Sequence, residues 1–257
     1  SVGGMVGNRK AFGQGLEADH LPHTQPPAGS FFRGMPNTDG LALADRLLDL
    51  IALHDASNIA AVIVEPFSCS GRVWLPPVCC LERLRDICTQ HQILLIFDEV
   101  ITGFGRCGGW TGAEVFGVTP DILNFAKQVT NGAQPLGGCI VQSEIYDTFL
   151  ATGGPEYMLE FAHGYTYSAH PIACAAGNAV LELLQQEQAP ERVQALAPVL
   201  ERAVHGLHNA PHVLDIRNFG LAAGLSIAPW PGEPARRPYE VAMKCWEKRC
   251  DMVLIIL

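Results

Sequence analysis

Residues Ile93 to Lys127 read ILLIFDEVITGFGRCGGWTGAEVFGVTPDILNFAK, and this stretch decides the fold. Its opening run, Ile93 to Phe97, is apolar and rich in β-forming residues, which predicts a strand buried on both faces of a parallel sheet. Asp98 follows that run directly, and a second apolar run, Ile122 to Ala126, ends on Lys127. Ligands bind beyond the carboxyl ends of the strands in open α/β sheets. We therefore expect an acid and an amine close together at that edge.

The segments before this stretch predict a parallel βαβ unit. Leu41 to Leu53 carries apolar residues at helical spacing, and Asp39 stands where an N-cap is needed. Ile59 to Val64 predicts a second buried strand that also ends in an acid, Glu65. Leu81 to His91 predicts the helix that leads into the strand at Ile93. Strand, helix and strand at this spacing are typical of a parallel sheet with helices packed on it.

The remaining segments predict a mixture of loops, helices and short strands. Residues 1 to 40 are rich in Gly, Pro and His, which is typical of loops and connectors. The runs VLDIRNFG and LAAGLSIAP predict two strands of a smaller α+β region. The other predicted elements are a strand at Gly138 to Gln142 and helices at Ser143 to Ala151, Ala169 to Gln186, Glu191 to Leu207 and Tyr239 to Lys248.

Composition and charge exclude several classes of protein. The 257 residues are 48% apolar and 17% charged, and no apolar run approaches the length of about 18 residues that spans a bilayer. A net charge of −9 argues against nucleic-acid binding, because no basic stripe is present to neutralise phosphates. The nine cysteines form no C-x-x-C pair, which favours a reduced, cytoplasmic location. We predict no metal site, no nucleic-acid partner and no membrane partner.

The pairing of Asp98 with Lys127 suggests pyridoxal phosphate chemistry. That cofactor needs an amine to hold its aldehyde as a Schiff base. A carboxylate opposite the pyridine nitrogen keeps that nitrogen protonated, so that the ring can act as an electron sink. The same two residue types at strand ends also occur as an ordinary solvated ion pair at the rim of a sheet. A dinucleotide site is the other reading, since Gly103 to Gly108 satisfies G-x-G-x-x-G. The dinucleotide reading also requires an acid about 20 residues later, which this sequence lacks. It further requires a helix after the glycines, and GWTGAEVFG is a poor helix opening.

Four ordered motifs separate these readings. They are FDEVITGFGR (Phe97 to Arg106), FGVTPDILNFAK (Phe116 to Lys127), TNGAQPLGG (Thr130 to Gly138) and HGYTYSAHP (His163 to Pro171). Together they resemble the class III, or omega, aminotransferases, and within that group the omega-amino acid (β-alanine) to pyruvate aminotransferases. The resemblance runs from about Ser1 to about Lys248 and fails after that point.

The resemblance implies a fold, a cofactor and a partner. The fold would be the α/β fold type I of pyridoxal phosphate-dependent transferases, a mostly parallel sheet flanked by helices with part of a smaller α+β C-terminal domain. Residues 1–185 would form the large cofactor-binding domain, and residues 186–257 the start of the small domain. The active site would lie between the two subunits of a homodimer. The reaction would move an amino group from an omega-amino acid or amine to pyruvate or a similar 2-oxo acid.

The resemblance also implies roles for single residues. Lys127 would form the Schiff base with pyridoxal 5′-phosphate, in a desolvated site that lowers the pKa of its amine. Asp98 would pair with the pyridinium nitrogen, and Val100 would press against one face of the ring. Thr166 would hold the cofactor phosphate across the subunit interface. Glu65 would support the site through hydrogen bonds without a catalytic step.

Two expected parts of the family's site have no counterpart in this sequence. The Ser-Gly-rich turn that binds phosphate would lie upstream of Ser1. Beyond Lys248 the sequence reads RCDMVLIIL, where the family has a strand bearing an arginine for the substrate carboxylate. We therefore expect a fragment that lacks the N-terminal part and carries an altered C-terminal end. A non-catalytic remnant of the aminotransferase fold is the alternative to an active enzyme.

Overall fold

A four-stranded sheet forms the centre of the molecule. The computed structural model describes residues 2–13, 15–27, 29–157 and 160–248. Strands β1, β2 and β3 are parallel, and β4 runs antiparallel at the edge beside β3. The strands span Ala61–Val64 (β1), Leu94–Asp98 (β2), Ile122–Phe125 (β3) and Gly138–Val141 (β4). This arrangement confirms the predicted, mostly parallel α/β fold.

Helices precede, connect and follow these four strands. A separate pair of antiparallel strands comes later in the chain. The pair is β5 (Val213–Phe219) with β6 (Ala222–Ile227). The helices are α1 (Val6–Phe12), α2 (Gly40–His54), α3 (Cys80–Gln90), α4 (Gly112–Phe116), α5 (Ser143–Thr152), α6 (Pro171–Gln186), α7 (Ala189–His205) and α8 (Arg236–Glu247). The predicted elements lie close to these bounds, while the predicted domain division at residue 186 stays a prediction.

The core lies between the sheet and helices α2 and α3. Leu95 and Phe97 of β2 are fully buried on this face. Helix α2 begins as predicted, since the Asp39 carboxylate accepts a hydrogen bond of 2.8 Å from the Ala42 N–H. Its first residue must be glycine, because a Cβ on Gly40 would lie 2.1 Å from the Val78 carbonyl oxygen. The two helices therefore pack closely enough to seal one face of the sheet.

The prediction that the central strand is buried on both faces is wrong. Leu94 is 36% exposed and Ile63 is 42% exposed. The register pairs Ala61 with Leu94 and Ile63 with Ile96, so these residues share one face of the sheet. That face stays partly open because helices α2 and α3 pack on the opposite one. We call the face carrying Leu95 and Phe97 the closed face, and the face carrying Leu94 and Ile63 the open face.

Two local expectations are also corrected. The segment predicted as loop, residues 1 to 40, contains helix α1. The sequence GWTGAEVFG was expected to open a helix poorly, yet α4 begins at Gly112, since the Thr111 hydroxyl accepts a hydrogen bond of 3.0 Å from the Glu114 N–H. The divergent tail, residues 249–257, lies outside the described residues. None of the helices in the described ranges has the length and apolar character that crossing a membrane requires.

Candidate active site

The carboxyl ends of three neighbouring strands bring Glu65, Asp98 and Lys127 together. Val64 lies opposite Phe97 in the parallel register, so the next residues, Glu65 and Asp98, leave the sheet side by side. Asp98 is paired with Asn124 of β3, and Lys127 follows the end of that strand. Glu65 is close enough to interact electrostatically with both Asp98 and Lys127. The strand order thus assembles the acid and amine that the sequence predicted at this edge.

The Glu65 carboxylate is held by the loop that follows it. Burial raises the pKa of Glu65, the negative charge of Asp98 raises it further, and hydrogen bonds from Ser68 and Cys69 together with the positive charge of Lys127 lower it. The Ser68 hydroxyl donates to Oε1 of Glu65 over 3.2 Å. Glu65 is therefore a partly desolvated acid that its own loop fixes next to the other two residues.

Asp98 lies half-buried at the end of β2. Its Oδ1 accepts a hydrogen bond of 3.3 Å from the backbone N–H of Val100, which is itself half-buried. This contact folds the chain back over the strand end and orients the carboxylate. Asp98 and Val100 therefore stand in one tight turn, and their expected roles toward the cofactor stay predictions.

The next residue, Glu99, serves the opposite side of the sheet, and the sequence analysis missed it. Its side chain is fully buried. The carboxylate accepts hydrogen bonds from the Thr102 hydroxyl at 2.9 Å, the Ala113 N–H at 2.7 Å and the Gly112 N–H. It thus occupies the N-terminus of α4, where a negative charge is favourable. No local pattern predicts these contacts, because Gly112 and Ala113 lie 13 and 14 residues after Glu99 in the sequence.

Lys127 is exposed, so the expected desolvation of its amine is not found. It is the first residue of a short 3₁₀ turn, Lys127–Thr130, with φ at 50°. The turn buries Val129 and Thr130 and packs against α6, where a Cβ on Gly177 would lie 3.7 Å from the Val129 carbonyl oxygen. Consecutive residues of such a turn point in different directions. Burying the later residues under α6 therefore leaves the Lys127 side chain accessible.

Thr166 lies on a different loop, which precedes α6. The loop is exposed, and the Tyr165 N–H donates a hydrogen bond of 2.9 Å to the Ser168 hydroxyl. His163 contacts Tyr165 at 5.7 Å between ring centroids and Phe161 at 5.4 Å. His163 therefore belongs to a surface group of aromatic rings. The structure brings Glu65, Asp98, Val100 and Lys127 together and places Thr166 in this exposed loop.

Metal and disulfide chemistry find no support in the part of the chain that the structure describes. No group of three or more His, Cys, Asp or Glu residues there could hold a metal ion. The cysteines in the same ranges are free thiols. Burial raises the pKa of Cys107 to about 12 and that of Cys88 to about 11. The thiols of Cys88 and Cys107 are therefore protonated near neutral pH and behave as apolar packing groups.

Two bacterial enzymes resemble the chain along 96% of its length. The β-alanine–pyruvate aminotransferase of Pseudomonas aeruginosa is 59% identical to it, and the omega-amino acid–pyruvate aminotransferase of Pseudomonas putida is 57% identical. Each match covers 55% of the enzyme. The chain therefore spans about half the length of the curated relatives it matches.

Solved structures of transaminases share the fold. An (S)-enantioselective omega-transaminase from Thermomicrobium roseum superimposes with a TM-score of 0.78 at 34% identity, over 87% of this chain and 49% of the other. The omega transaminase of Pseudomonas jessenii in complex with PMP gives 0.75 at 29% identity, over 88% and 49%. Residues 21–231 match the family described as aminotransferase class-III. The chain belongs to the class III aminotransferase family.

Proposed function

We propose that this chain is the lysine-bearing part of a pyridoxal phosphate-dependent aminotransferase. It would move an amino group from an omega-amino acid or amine to pyruvate or a similar 2-oxo acid. The observation that carries the proposal is the meeting of Glu65, Asp98 and Lys127 at one edge of the sheet. The names of the two Pseudomonas relatives support the choice of substrates.

The residues at this edge fit the cofactor of class III aminotransferases, pyridoxal 5′-phosphate. When bound, it supplies an aldehyde that takes up amines and a pyridinium ring that stabilises negative charge on the neighbouring carbon. The exposed amine of Lys127 is accessible to an aldehyde, and the Asp98 carboxylate beside it is oriented by the Val100 N–H. An accessible amine and a fixed carboxylate are the two groups that such a cofactor requires.

Each residue of the site has a separate task in the proposed reaction. Lys127 would hold the cofactor through Nζ, and its amine would take up the proton that leaves the substrate carbon. Asp98 would hold a proton on the ring nitrogen through its carboxylate. Val100 would offer an apolar side chain to the ring and help to exclude water from it. Glu65 stays in place through Ser68 and Cys69 and adds negative charge beside Asp98.

The proposed partner is a second copy of the chain, with Thr166 of one copy holding the phosphate at the site of the other. The loop that carries Thr166 supports this, because its Tyr165 and Tyr167 side chains are 80% and 81% exposed. Exposed aromatic side chains next to a polar loop are typical of protein interfaces. The free thiols of the described cysteines support a reducing, cytoplasmic location for the protein.

Visible absorbance after incubation with pyridoxal phosphate tests the proposal. We expect the purified chain to keep a yellow band through desalting and the Lys127→Ala variant to lose it. Lys10→Ala is the matched control, since Lys10 lies in α1, far along the chain from the proposed site, and should leave the band unchanged. A folded chain without a Lys127-dependent band would refute the proposal and support the non-catalytic remnant. If the Lys127-dependent band is present, amino donors can then be screened for activity.

A further inference from the structure

We infer that Arg217 is a positioning residue for the proposed site, because its guanidinium holds the loop of residues 68–74 that holds Glu65 beside Asp98 and Lys127. This inference rests on the proposed function, since it gives Arg217 a role only if that edge of the sheet is an active site. Arg217 belongs to β5, in the smaller sheet. The link therefore joins two sheets that the sequence places far apart.

Residues 68–74 form a closed loop whose first two residues bind the Glu65 carboxylate. Ser68 and Trp74 exchange two backbone hydrogen bonds, of 2.9 and 3.0 Å, which fix the two ends of the loop against each other. From its first two residues, the Ser68 hydroxyl and the Cys69 N–H bind the Glu65 carboxylate. Any movement of the loop therefore moves the donors that hold Glu65.

The loop adopts a backbone conformation that its residues do not favour. Arg72 has φ at 89° and Val73 has φ at 57°. The left-handed region is unfavourable for residues with a Cβ, and a β-branched residue such as valine is a genuine outlier there. A conformation of this kind persists only where surrounding contacts fix it. Within the loop, the N–H groups of Arg72 and Val73 both donate to the Cys69 carbonyl oxygen over 3.1 Å. A contact at the Arg72 carbonyl adds a restraint from outside the loop.

Arg217 provides that restraint. Its Nε and Nη2 donate hydrogen bonds of 3.1 and 3.0 Å to the carbonyl oxygen of Arg72, one of the two unfavourable residues. Its Nη1 binds the Asp215 carboxylate and the Ser226 hydroxyl. The Arg217 residue is only 2% exposed. A buried guanidinium that is fixed by Asp215 and aims two donors at one carbonyl is a rigid clamp on that loop.

The neighbouring strand is shaped to accept the loop. A Cβ on Gly224 of β6 would lie 2.6 Å from the Arg72 carbonyl oxygen and 3.1 Å from Nη2 of Arg217. A glycine at this position therefore lets the Arg72 carbonyl reach the guanidinium. The close approach at Gly224 and the hydrogen bonds of Arg217 are two separate observations of the same contact. Both place the smaller sheet, through this loop, in control of Glu65.

The titration of the Glu65 carboxyl reports on this control. The groups that act on it are the donors Ser68 and Cys69 and the charges of Asp98 and Lys127. Both donors bind the ionised carboxylate, so each lowers the pKa of Glu65. Releasing the loop would remove both donors, which raises that pKa, and would let water reach the carboxylate, which lowers it, so the Glu65 midpoint would move from its wild-type value. A purely structural arginine would lower the stability of the chain and leave this midpoint unchanged.

Arg217→Lys is the first test. Lysine keeps a positive charge next to Asp215 but lacks the second nitrogen that reaches the Arg72 carbonyl. We would follow the carboxyl carbons of ¹³C-labelled glutamate by NMR, with Glu65→Gln to assign the signal. The Glu65 midpoint should shift in Arg217→Lys and stay unchanged in Arg83→Lys, which alters another arginine–aspartate pair, with Asp45. An unchanged midpoint in folded Arg217→Lys would overturn the inference.

This measurement needs no cofactor, so the two proposals can fail separately. A wild-type chain that binds no pyridoxal phosphate refutes the proposed function, while the Glu65 titration still decides whether Arg217 controls the loop. A chain that shows the Lys127-dependent band, with a Glu65 midpoint that Arg217→Lys leaves unchanged, refutes only the inference. In the expected case, the pH dependence of the band changes in Arg217→Lys and not in Arg83→Lys.

Amide hydrogen exchange in the wild-type chain covers the case in which Arg217→Lys does not fold. The amides of Ser68 and Trp74 close the loop, and those of β5 and β6 pair the smaller sheet. If Arg217 holds the loop, the Ser68 and Trp74 amides should open together with the amides of β5 and β6 as denaturant is added. Opening of the loop at a lower denaturant concentration, with β5 and β6 still protected, would contradict the inference.

Discussion

The two faces of the central sheet differ in what their residues do. On the closed face, Leu95 and Phe97 are fully buried, and Glu99 makes hydrogen bonds to α4. On the open face, Leu94 is partly exposed and Asp98 stands beside Glu65 near Lys127. Successive residues of a strand point to opposite faces, so Asp98 and Glu99 are neighbours in sequence with opposite surroundings.

This difference separates two tasks of one strand, stability and the proposed chemistry. Glu99 is an acid whose hydrogen-bonding capacity is used inside the protein. Asp98 is an acid held by one backbone N–H at a half-buried edge, with capacity left for a ligand. The strand therefore stabilises the protein on one face and carries the proposed site on the other. Substitutions at adjacent positions should separate the two tasks.

The largest expected effect comes from shortening the same side chain on each face. Leu95→Ala should lower the free energy of unfolding by about 2–5 kcal/mol, because it leaves a cavity in the closed core. Leu94→Ala removes a partly exposed side chain and should cost about 1 kcal/mol or less. Chemical denaturation of the two variants measures the difference. Equal losses would mean that both faces are equally packed.

The two adjacent acids should respond differently to loss of charge. Glu99→Gln turns an NH₂ group toward a backbone N–H at the start of α4 and should cost about 1–3 kcal/mol of stability. Asp98→Asn should change the unfolding free energy by only about 0.5 kcal/mol. It should instead weaken retention of pyridoxal phosphate. Denaturation and visible absorbance on both variants check this, and loss of the band with Glu99→Gln in a folded chain would contradict it.

Glu65 should make the stability of the chain depend on pH. Burial raises the pKa of this carboxyl in the folded state, so the folded chain binds the proton more tightly than the unfolded chain does. Its contribution is complete below the ordinary glutamate pKa of about 4.3 and is lost as pH rises through the folded value. Glu65→Gln should lack this loss. Chemical denaturation of both proteins, from the ordinary glutamate pKa upward, should give free energies of unfolding that diverge as pH rises.

The last comparison is a small expected gain in stability, at the helix that covers the closed face. Cys79 precedes α3 with φ at 66°, and its side chain is exposed. Cys79→Gly should raise the free energy of unfolding by about 0.5–1 kcal/mol, because glycine adopts this conformation without steric strain. Cys79→Ser removes the thiol and keeps the Cβ, so it should give no gain. A gain in both variants would assign the effect to the thiol.

Local patterns predicted much of the fold and part of the site. Asp39 was identified as the cap of α2 from its position alone, and β1, β2 and β3 followed from apolar runs that end in polar residues. Lys127 and Asp98 were predicted at one edge of the sheet from their positions after apolar runs, and the family motifs gave their expected roles. The exposure of Lys127 was not predicted, because it depends on how α6 packs against the turn. The contacts of Glu99 and Arg217 join residues distant in sequence, where periodicity carries no information.

The clamp on the loop of residues 68–74 also bears on the order in which the chain folds. The hydrogen bond from Arg217 to the Arg72 carbonyl closes a separation of 145 residues, and the one from the Phe31 N–H to Asp215 closes 184. Contacts of such long range form slowly, because closing them costs the chain much conformational entropy. The βαβ unit is local by comparison and can form during synthesis. We therefore expect Glu65 to reach its final surroundings only in the last stage of folding, after β5 and β6 have docked.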